Sequence, residues 1–177
     1  MRDVQEFLSE SEIAARVKSL AAEIRGDAGA SAPVHLIGVL KGAFVFLADL
    51  MREVGGEVSC DFIAVSSYAG TTSTGEVQIL KDLDRSIEGR NVVIVEDIVD
   101  TGLTLSYLQN ALRARAPKSI KTACLLSKPS RRKVDVHVEY IGFTIEDRFV
   151  VGYGLDFDEQ YRNLPFIGIL GNAAGVH

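Results

Sequence analysis

The sequence is poor in the residues that staple small secreted proteins or mark metal centres. It contains two cysteines, three histidines and no tryptophan. Cys60 and Cys124 each lie in an apolar run and lack the spacing of a metal site, so we expect two buried, reduced thiols rather than a disulfide. This cysteine usage favours a protein of the reducing cytoplasm.

Long hydrophobic runs are also missing. Residues 1–6 are mostly polar or charged and lack the apolar segment of a signal peptide. No stretch approaches the roughly 18 apolar residues that a membrane span needs. These absences predict a cytoplasmic chain that has no membrane partner.

Positive charge is in short supply. Lys and Arg number 19 against 24 Asp and Glu, which gives a formal net charge of -5. A short basic run occurs at residues 131–133, and we interpret it as a solvated turn. An acidic chain without a broad basic surface is not typical of proteins that bind nucleic acid or anionic membranes. A local basic pocket for a small anion fits the same charge balance.

What is present is enough apolar material for one packed domain. The chain has 177 residues, of which 47% are hydrophobic, and this suits a single domain over 1–177. Ser9 and Glu12 form a capping-box pattern before a helix that we expect Gly26 to end. The periodicity predicts further helices over 43–54 and 102–115, and strands over 34–40, 58–65, 77–80, 92–95, 120–126, 140–145, 149–155 and 166–170.

The alternation of these elements predicts an α/β fold. We expect a doubly wound, mostly parallel sheet flanked by helices. Such sheets bind ligands at the carboxyl ends of their strands, near a switch in strand order. The polar Gly- and Thr-rich segment 66–76 is a long connection between two strands, which is typical of lids and binding loops.

The most informative segment follows the strand at 92–95. Glu96 and Asp97 stand at the strand end, Asp100 follows, and Thr-Gly-x-Thr at 101–104 begins a helix. Carboxylates at a strand end can accept hydrogen bonds from ribose hydroxyls, and N–H groups at a helix N-terminus attract phosphate. The segment predicts a ribose 5-phosphate clamp. The structural alternative is that these acids merely cap the helix or offset its dipole.

Two nucleotide-binding fingerprints are missing. The sequence has no Gly-x4-Gly-Lys-Ser/Thr phosphate loop. Gly152-Tyr153-Gly154 lacks the third glycine of a dinucleotide motif and predicts a turn. A kinase or a dinucleotide-binding enzyme is therefore disfavoured.

Residues 92–104 resemble the phosphoribosyl pyrophosphate (PRPP) binding motif of the type I phosphoribosyltransferases. Leu40-Lys41-Gly42 and residues 161–165 resemble further motifs of the branch that acts on 6-oxopurines. The resemblance implies the type I phosphoribosyltransferase fold, with a small hood subdomain built from segments near the termini. It also implies a flexible lid over about 66–80, in which Ser67 and Tyr68 match the family pattern and Ser66 adjoins them.

The resemblance also implies roles for individual residues. Asp100 matches the proposed general base or acid at purine N7, and a cis peptide bond often precedes the residue that matches Lys41. The implied PRPP-binding residues are Glu96, Asp97, Asp100, Thr101, Gly102, Leu103 and Thr104. The implied pyrophosphate-binding residues are Leu40, Lys41, Gly42 and Arg162. The implied magnesium ligands are Glu96, Asp97 and Asp156.

A second set of positions matches the purine site. These positions are Lys128, Phe149, Val150 and Asp156. An ammonium has donors only, so Lys128 would select a 6-oxo group and disfavour a 6-amino group. Taken alone, Lys128 would be a surface lysine and Phe149 a core residue. Asp158 and Glu159 lie close enough to Asp156 to leave that assignment open.

The implied function is the transfer of the 5-phosphoribosyl group from PRPP to N9 of hypoxanthine or guanine. Mg²⁺ is the implied cofactor, the partners are small molecules rather than nucleic acid, and the chain is expected to form a homodimer or homotetramer. The apolar helix over 43–51 could serve that interface or the core. Two alternatives remain: a transferase that prefers another base, such as xanthine, and a regulator that senses PRPP and binds RNA.

Overall fold

The computed structural model describes residues 3–67 and 77–171. It contains the strands β1 Val4–Leu8, β2 Val34–Leu40, β3 Val58–Ser67, β4 Val77–Lys81, β5 Asn91–Val99, β6 Ser119–Ser127, β7 Tyr140–Thr144, β8 Val150–Val151 and β9 Ile167–Leu170. The helices are α1 Glu10–Ala28, α2 Phe44–Val54 and α3 Leu103–Arg113, and a 3-10 turn covers Pro129–Arg131.

Six strands form the main sheet, in the order β4-β3-β2-β5-β6-β7. The five strands from β3 to β7 in this order pair in parallel, whereas β4 runs antiparallel to β3 at one edge. The parallel strands are rich in apolar residues because both of their faces are buried. This arrangement confirms the predicted doubly wound, mostly parallel α/β sheet.

The two faces of the sheet carry separate cores. On one face Leu36 packs in a cluster with Leu20 of α1 and Phe46 of α2. On the other face Ile94 packs in a cluster with Leu108 of α3. The helices thus hold β2 and β5 rigidly between two apolar layers, and the loops that follow these strands start from fixed points.

The start of α1 was predicted correctly from its local sequence, whereas its end was not. The capping box is present, since Glu12 N donates to Ser9 Oγ at 3.3 Å and Ser9 N donates to Glu12 Oε2 at 2.8 Å. The prediction that Gly26 ends the helix is wrong. The helix continues to Ala28 and ends at Gly29, whose φ is +96° and whose N–H donates to the Arg25 carbonyl. One glycine costs a helix only about 1 kcal/mol, which packing offsets.

A second, three-stranded antiparallel sheet has the order β1-β9-β8. Its strands come from segments near the two ends of the chain, as expected for the hood. The strand predicted over 149–155 is much shorter, because Gly152, Tyr153 and Gly154 all have positive φ and form the predicted turn. The strand β1 was not predicted, since most of its side chains are exposed.

Three further expectations concern the lid, the cysteines and membrane spans. Ser67 ends β3, while Tyr68 lies outside the described residues. Cys124 is buried as predicted, but Cys60 is exposed, so that part of the prediction is wrong. None of the helices in the described ranges combines the length and hydrophobicity that crossing a membrane requires.

Candidate active site

The candidate site lies where the strand order of the main sheet reverses. From β2 the sheet continues to β3 on one side and to β5 on the other, and ligands of open α/β sheets bind at such a switch point. The carboxyl end of β2 leads into Lys41 and Gly42, and Glu96 and Asp97 lie near the carboxyl end of β5. Two motifs that are far apart in sequence therefore meet at one edge of the sheet.

Glu96 and Asp97 form an acidic floor at this edge. Burial, together with the neighbouring Asp97 charge, raises the pKa of Glu96 well above its usual range. Burial also raises the pKa of Asp97, with Asp156 adding to the effect, although a 2.7 Å hydrogen bond from Ile98 N and the charge of Arg162 oppose it. The protein therefore compensates these carboxylates only in part, and a cation or sugar hydroxyls would complete their environment.

Glycines allow three backbone segments to meet beside this floor. A Cβ on Gly42 would overlap the Asp97 carboxylate. A Cβ on Gly154, whose φ is +98°, would overlap the Gly42 carbonyl oxygen. The peptide bond between Leu40 and Lys41 is cis, as the family pattern implied. The loop after β2, the acidic floor and the hood turn are thus in direct contact.

The beginning of α3 lies at one end of the candidate site. Its N-cap, Gly102, has φ +84°, and no described side chain caps the helix. The Leu103 N–H makes only a long contact of 3.4 Å with Thr101 Oγ1. A cavity of about 100 Å³ adjoins this turn and is lined by Glu96, Ile98, Val99, Asp100, Thr101, Gly102, Thr104 and Leu105. Its position at a helix N-terminus suits a phosphate group.

Arg132 holds this turn from the side of β6. Its Nη1 donates to the carbonyl oxygens of Val99 at 2.7 Å and Asp100 at 2.6 Å, and its Nη2 donates to Ser127 Oγ at 2.8 Å. The prediction that residues 131–133 form a solvated turn is therefore wrong for Arg132. Its planar guanidinium has enough donors to bridge the ends of β5 and β6.

Asp100 does not cap α3. Instead, Arg131 Nε donates to Asp100 Oδ1 at 3.0 Å. This hydrogen bond and the Asp100 charge raise the pKa of Arg131. Both side chains are exposed enough that solvent screens the pair, which therefore contributes little to stability. A ligand can therefore replace the contact at little cost.

Lys128 is buried at the end of β6, with 7% of its surface exposed. Its Nζ lies 3.4 Å from Asp147 Oδ1, and Asp147 Oδ2 lies 3.6 Å from Arg131 Nη1. The backbone N–H of Lys128 donates to the Val99 carbonyl at 3.0 Å. The interpretation of Lys128 as a surface lysine is wrong, and its ammonium lies beside Asp147, which also contacts Arg131.

Phe149 lies at the edge of the hood and is 55% exposed. Its ring packs edge-to-face against Phe157, with the centroids 5.6 Å apart. The adjacent Val150 is buried and pairs with Ile169 in the hood sheet. The interpretation of Phe149 as a core residue is therefore wrong, and its exposed aromatic ring directly precedes strand β8.

The hood also contributes a charged cluster above the loop after β2. Lys41 Nζ lies 2.8 Å from Glu159 Oε2, and Arg162 Nη2 lies 3.3 Å from Glu159 Oε1. Arg162 also pairs with Asp156 at 3.2 Å and donates to the Gly154 carbonyl at 2.7 Å. The two cations predicted to bind pyrophosphate are thus joined by one carboxylate.

One participant in this network was not anticipated from the sequence. Asp147 follows β7, which pairs in parallel with β6, and it contacts Lys128 and Arg131. The carboxyl ends of parallel strands meet at one edge of a sheet. An acid shortly after a strand next to β6 was therefore the signal that could have identified it.

The chemistry of the acidic floor fits Mg²⁺. This ion prefers oxygen ligands, keeps several waters and commonly binds through one or two carboxylates together with substrate phosphates. Within residues 3–67 and 77–171, no group of three or more His, Cys, Asp or Glu side chains could hold a metal by itself. The carboxylates of Glu96 and Asp97 are oxygen ligands of the kind that Mg²⁺ binds together with substrate phosphates.

Together, the fold and the site define an α/β protein that can hold a phosphorylated sugar at the carboxyl edge of its sheet. A family model described as the phosphoribosyl transferase domain matches residues 3–158. The chain belongs to this phosphoribosyltransferase family.

Individual relatives have similar lengths. A hypoxanthine-guanine phosphoribosyltransferase of Bacillus subtilis is 52% identical over 170 residues, which cover 95% of this chain and 94% of that protein. One from Streptococcus agalactiae is 46% identical, with the same coverage. The crystal structure of a hypoxanthine-guanine phosphoribosyltransferase from Bacillus anthracis matches with a TM-score of 0.91 and 47% identity, and covers 97% of this chain and 100% of that one.

Proposed function

We propose that this protein transfers the 5-phosphoribosyl group of PRPP to N9 of hypoxanthine or guanine. The products are inosine or guanosine monophosphate and pyrophosphate, which makes the reaction a purine salvage step. The observation that carries the proposal is the placement of the acidic floor, Gly42 and the buried Lys128 around one edge of the sheet. The names of the relatives support the choice of purine.

The two ends of PRPP fit different parts of the site. Glu96 and Asp97 accept hydrogen bonds from the ribose hydroxyls. The N–H groups and hydroxyls of the turn bind the 5-phosphate, and this turn comprises Thr101, Gly102, Leu103 and Thr104. The charges of Lys41 and Arg162, with the amide of Gly42, bind the pyrophosphate. The small cavity at the start of α3 supports this orientation.

We propose Mg²⁺ as the cofactor. Glu96 and Asp97 would hold it, and Asp156 would contact it through water. When bound, the ion neutralises charge on the pyrophosphate as that group leaves. The raised pKa values of Glu96 and Asp97 support a site for a cation, because burial leaves their ionised forms poorly solvated.

The purine lies between Phe149 and the end of β6. Phe149 stacks on the ring, the backbone of Val150 and the carboxylate of Asp156 contact its edge, and Lys128 donates to the 6-oxo oxygen. A 6-amino group offers no acceptor to this ammonium, so adenine is disfavoured. The burial of Lys128 strengthens the selection, because a 6-amino group held against a buried ammonium would bring two donors together with no acceptor between them.

The reaction exchanges one bond at C1 of the ribose for another. The bond from C1 to the pyrophosphate oxygen breaks, and positive charge develops on the sugar. Glu96 and Asp97 offset that charge. N9 of the purine then bonds to C1, and Asp100 takes up the proton that is lost from N7. General acid–base catalysis of this kind typically contributes about 10²–10⁴-fold.

A base-competition assay tests the proposal. Purified protein is mixed with PRPP, Mg²⁺ and either hypoxanthine, guanine, xanthine, adenine or a pyrimidine, and nucleotide formation is followed. We expect products from hypoxanthine or guanine and little from adenine or the pyrimidine. Nucleotide formation from adenine alone would contradict the assignment of Lys128. No product with any base, combined with retention of structured RNA at physiological salt, would support the regulator instead.

We also propose that the protein forms a homo-oligomer, a dimer or a tetramer. Phe46, Leu47 and Leu50 of α2 belong to the core, whereas Phe44 at the start of the same helix is exposed. A large exposed aromatic beside an apolar groove supports a contact surface there. Light scattering coupled to size-exclusion chromatography tests this, and a mass of 19.2 kDa at all concentrations would contradict it.

A further inference from the structure

Glu159 forms ion pairs with both of the cations, Lys41 and Arg162, that the proposed function assigns to pyrophosphate. One of its carboxylate oxygens lies 2.8 Å from Lys41 Nζ, and the other lies 3.3 Å from Arg162 Nη2. The charge of Lys41, through a hydrogen bond and Coulomb attraction, lowers the pKa of Glu159, and Arg162 adds to this effect. Glu159 is therefore an anion that bridges two cations, as the oxygens of a pyrophosphate would.

The backbone around Glu159 fixes this position. Phe157 and Gln160 exchange backbone hydrogen bonds of 3.1 and 3.0 Å, which closes a two-residue turn. Both central residues are left-handed, with φ +52° at Asp158 and φ +59° at Glu159. The Glu159 N–H donates to Asp156 Oδ2 at 2.9 Å. The carboxylate of Glu159 is therefore held over the cations by a defined turn and not by a freely moving loop.

The identity of the residue adds a second observation. Turns in which both central residues have positive φ favour Gly, Asn and Asp, because the left-handed region is unfavourable for residues with longer side chains. A glutamate at position 159 is thus a poor choice for the turn itself. Its length is what lets the carboxylate reach Lys41 and Arg162 at the same time.

The strength of these contacts suits exchange with a ligand. The side chains of Lys41 and Glu159 are 67% and 65% exposed, and exposed ion pairs contribute little to stability because solvent screens them. A metal-bound pyrophosphate carries more charge and more acceptor oxygens than one carboxylate. It can therefore displace Glu159, but each binding event loses the free energy of the displaced pairs.

We propose that Glu159 is a resident counter-anion of the pyrophosphate site. It neutralises Lys41 and Arg162 when the site is empty, is displaced by pyrophosphate, and returns as that product leaves. The inference rests on the proposed function for the assignment of the two cations. Its consequence is that Glu159 weakens binding of pyrophosphate and so speeds product release.

The test is titration of the full chain with pyrophosphate in the presence of Mg²⁺ by calorimetry. Glu159→Gln keeps the size and hydrogen-bonding ability of the side chain but removes its charge. Asp158→Asn is the matched control, because it removes the neighbouring charge in the same turn and Asp158 forms no ion pair with the described residues. Asn also tolerates positive φ. Transferase activity with hypoxanthine is measured in parallel for each variant.

We expect Glu159→Gln to bind pyrophosphate about three- to tenfold more tightly, because the variant no longer pairs with the exposed Lys41 or with the partly buried Arg162. Asp158→Asn should stay within about twofold of the parent, and the difference between the variants should shrink at high salt. A loss of folding or positioning alone would not increase affinity. The rate of pyrophosphate release should fall in Glu159→Gln by a similar factor.

Two results would overturn the inference. One is that Glu159→Gln binds pyrophosphate with unchanged or lower affinity than the parent protein. The other is that Asp158→Asn tightens binding to the same extent, which would reflect net charge alone. Either result with normal transferase activity rejects the inference and leaves the proposed function intact, whereas an inactive parent protein rejects the proposed function.

Discussion

The acidic floor and the rim of the site differ in how far their charged groups are compensated by partners. The floor is Glu96 and Asp97, whose pKa values are raised chiefly by burial. The rim comprises the charged groups that pair with one another around the floor, and all of them except the mostly buried Arg162 are well exposed: Lys41, Asp100, Arg131, Asp147, Glu159 and Arg162. The floor therefore holds charge that lacks a full partner, whereas the rim is neutralised by its own ion pairs.

This difference separates two tasks. Buried charges without full compensation reduce stability, and a bound cation or sugar removes that penalty. Exposed ion pairs cost little to break, so substrates and products can replace them repeatedly. We infer that the floor determines how strongly the metal and ribose bind, while the rim governs exchange of the pyrophosphate and base.

The largest effect is expected at Asp100, the rim carboxylate with a proposed part in proton transfer. Asp100→Asn keeps the shape of the side chain but removes its ability to take a proton. We expect the turnover number to fall by about 10²-fold or more, while the KM for PRPP changes little. Steady-state kinetics with saturating hypoxanthine measure this, and near-normal turnover would remove Asp100 from the proposed role.

The next largest effect is expected at Lys128, which is buried but paired. Lys128→Met keeps the apolar stem and removes the proposed donor to the 6-oxo group. Loss of a charge-assisted hydrogen bond predicts that kcat/KM for hypoxanthine falls by about 10–100-fold. Lys133→Met, which changes an exposed lysine nearby, is the control. Equal losses in the two variants would show that Lys128 does not read the base.

Glu96 offers a test of the floor through stability and pH. The pKa of Glu96 is higher in the folded protein than in the unfolded chain. Its contribution is therefore most favourable below the unfolded pKa and is lost as pH rises through the folded pKa. Glu96→Gln should unfold at nearly the parent temperature at pH 5 but about 3–6 °C higher at pH 8 in the absence of Mg²⁺.

The same Glu96→Gln variant should be more stable but should bind its substrate less tightly. We expect weaker Mg²⁺-dependent binding of PRPP, because the variant has lost one of the two floor carboxylates. Scanning calorimetry over pH 5–8, with and without PRPP and Mg²⁺, measures both effects. A difference in unfolding temperature that does not grow with pH would contradict a buried, poorly compensated Glu96.

The smallest effect is expected at Arg131, which pairs with Asp100 on the rim. Arg131→Gln should change the unfolding temperature by less than about 3 °C, because the pair is exposed. Arg115→Gln is a matched control. Arg115 pairs with Asp82 over a distance of 2.7 Å, and this pair lies outside the candidate site. A large stability loss in Arg131→Gln alone would show that the rim is structural and would weaken the comparison with the floor.

Most of the central sheet could be predicted because strands that are buried on both faces appear in the sequence as continuous apolar runs. The apolar runs of β2 and β5 are examples, and the capping box of α1 is another. The edge strand β1 has no such apolar run, since its side chains are mostly exposed. The end of α1 and the exposure of Cys60 depend on neighbours that are distant in sequence.

The site divides in the same way. The position of Glu96 and Asp97 near the carboxyl end of β5 could be predicted, because a buried apolar run precedes them and a helix follows shortly after, so local order was sufficient. The contact between Lys41 and Glu159 joins residues 118 positions apart, and the contacts of Asp147 and Arg132 depend on how β5, β6 and β7 align. These contacts arise from tertiary packing, so the partners cannot be read from neighbouring residues in the sequence.

The most direct test of the account is a crystal structure of the protein with inosine monophosphate. It should place the 5-phosphate within hydrogen-bonding distance of the N–H groups at 101–104, the ribose hydroxyls against Glu96 and Asp97, and the 6-oxo oxygen at Lys128. A nucleotide bound elsewhere, or one bound with its sugar away from the two carboxylates, would contradict it.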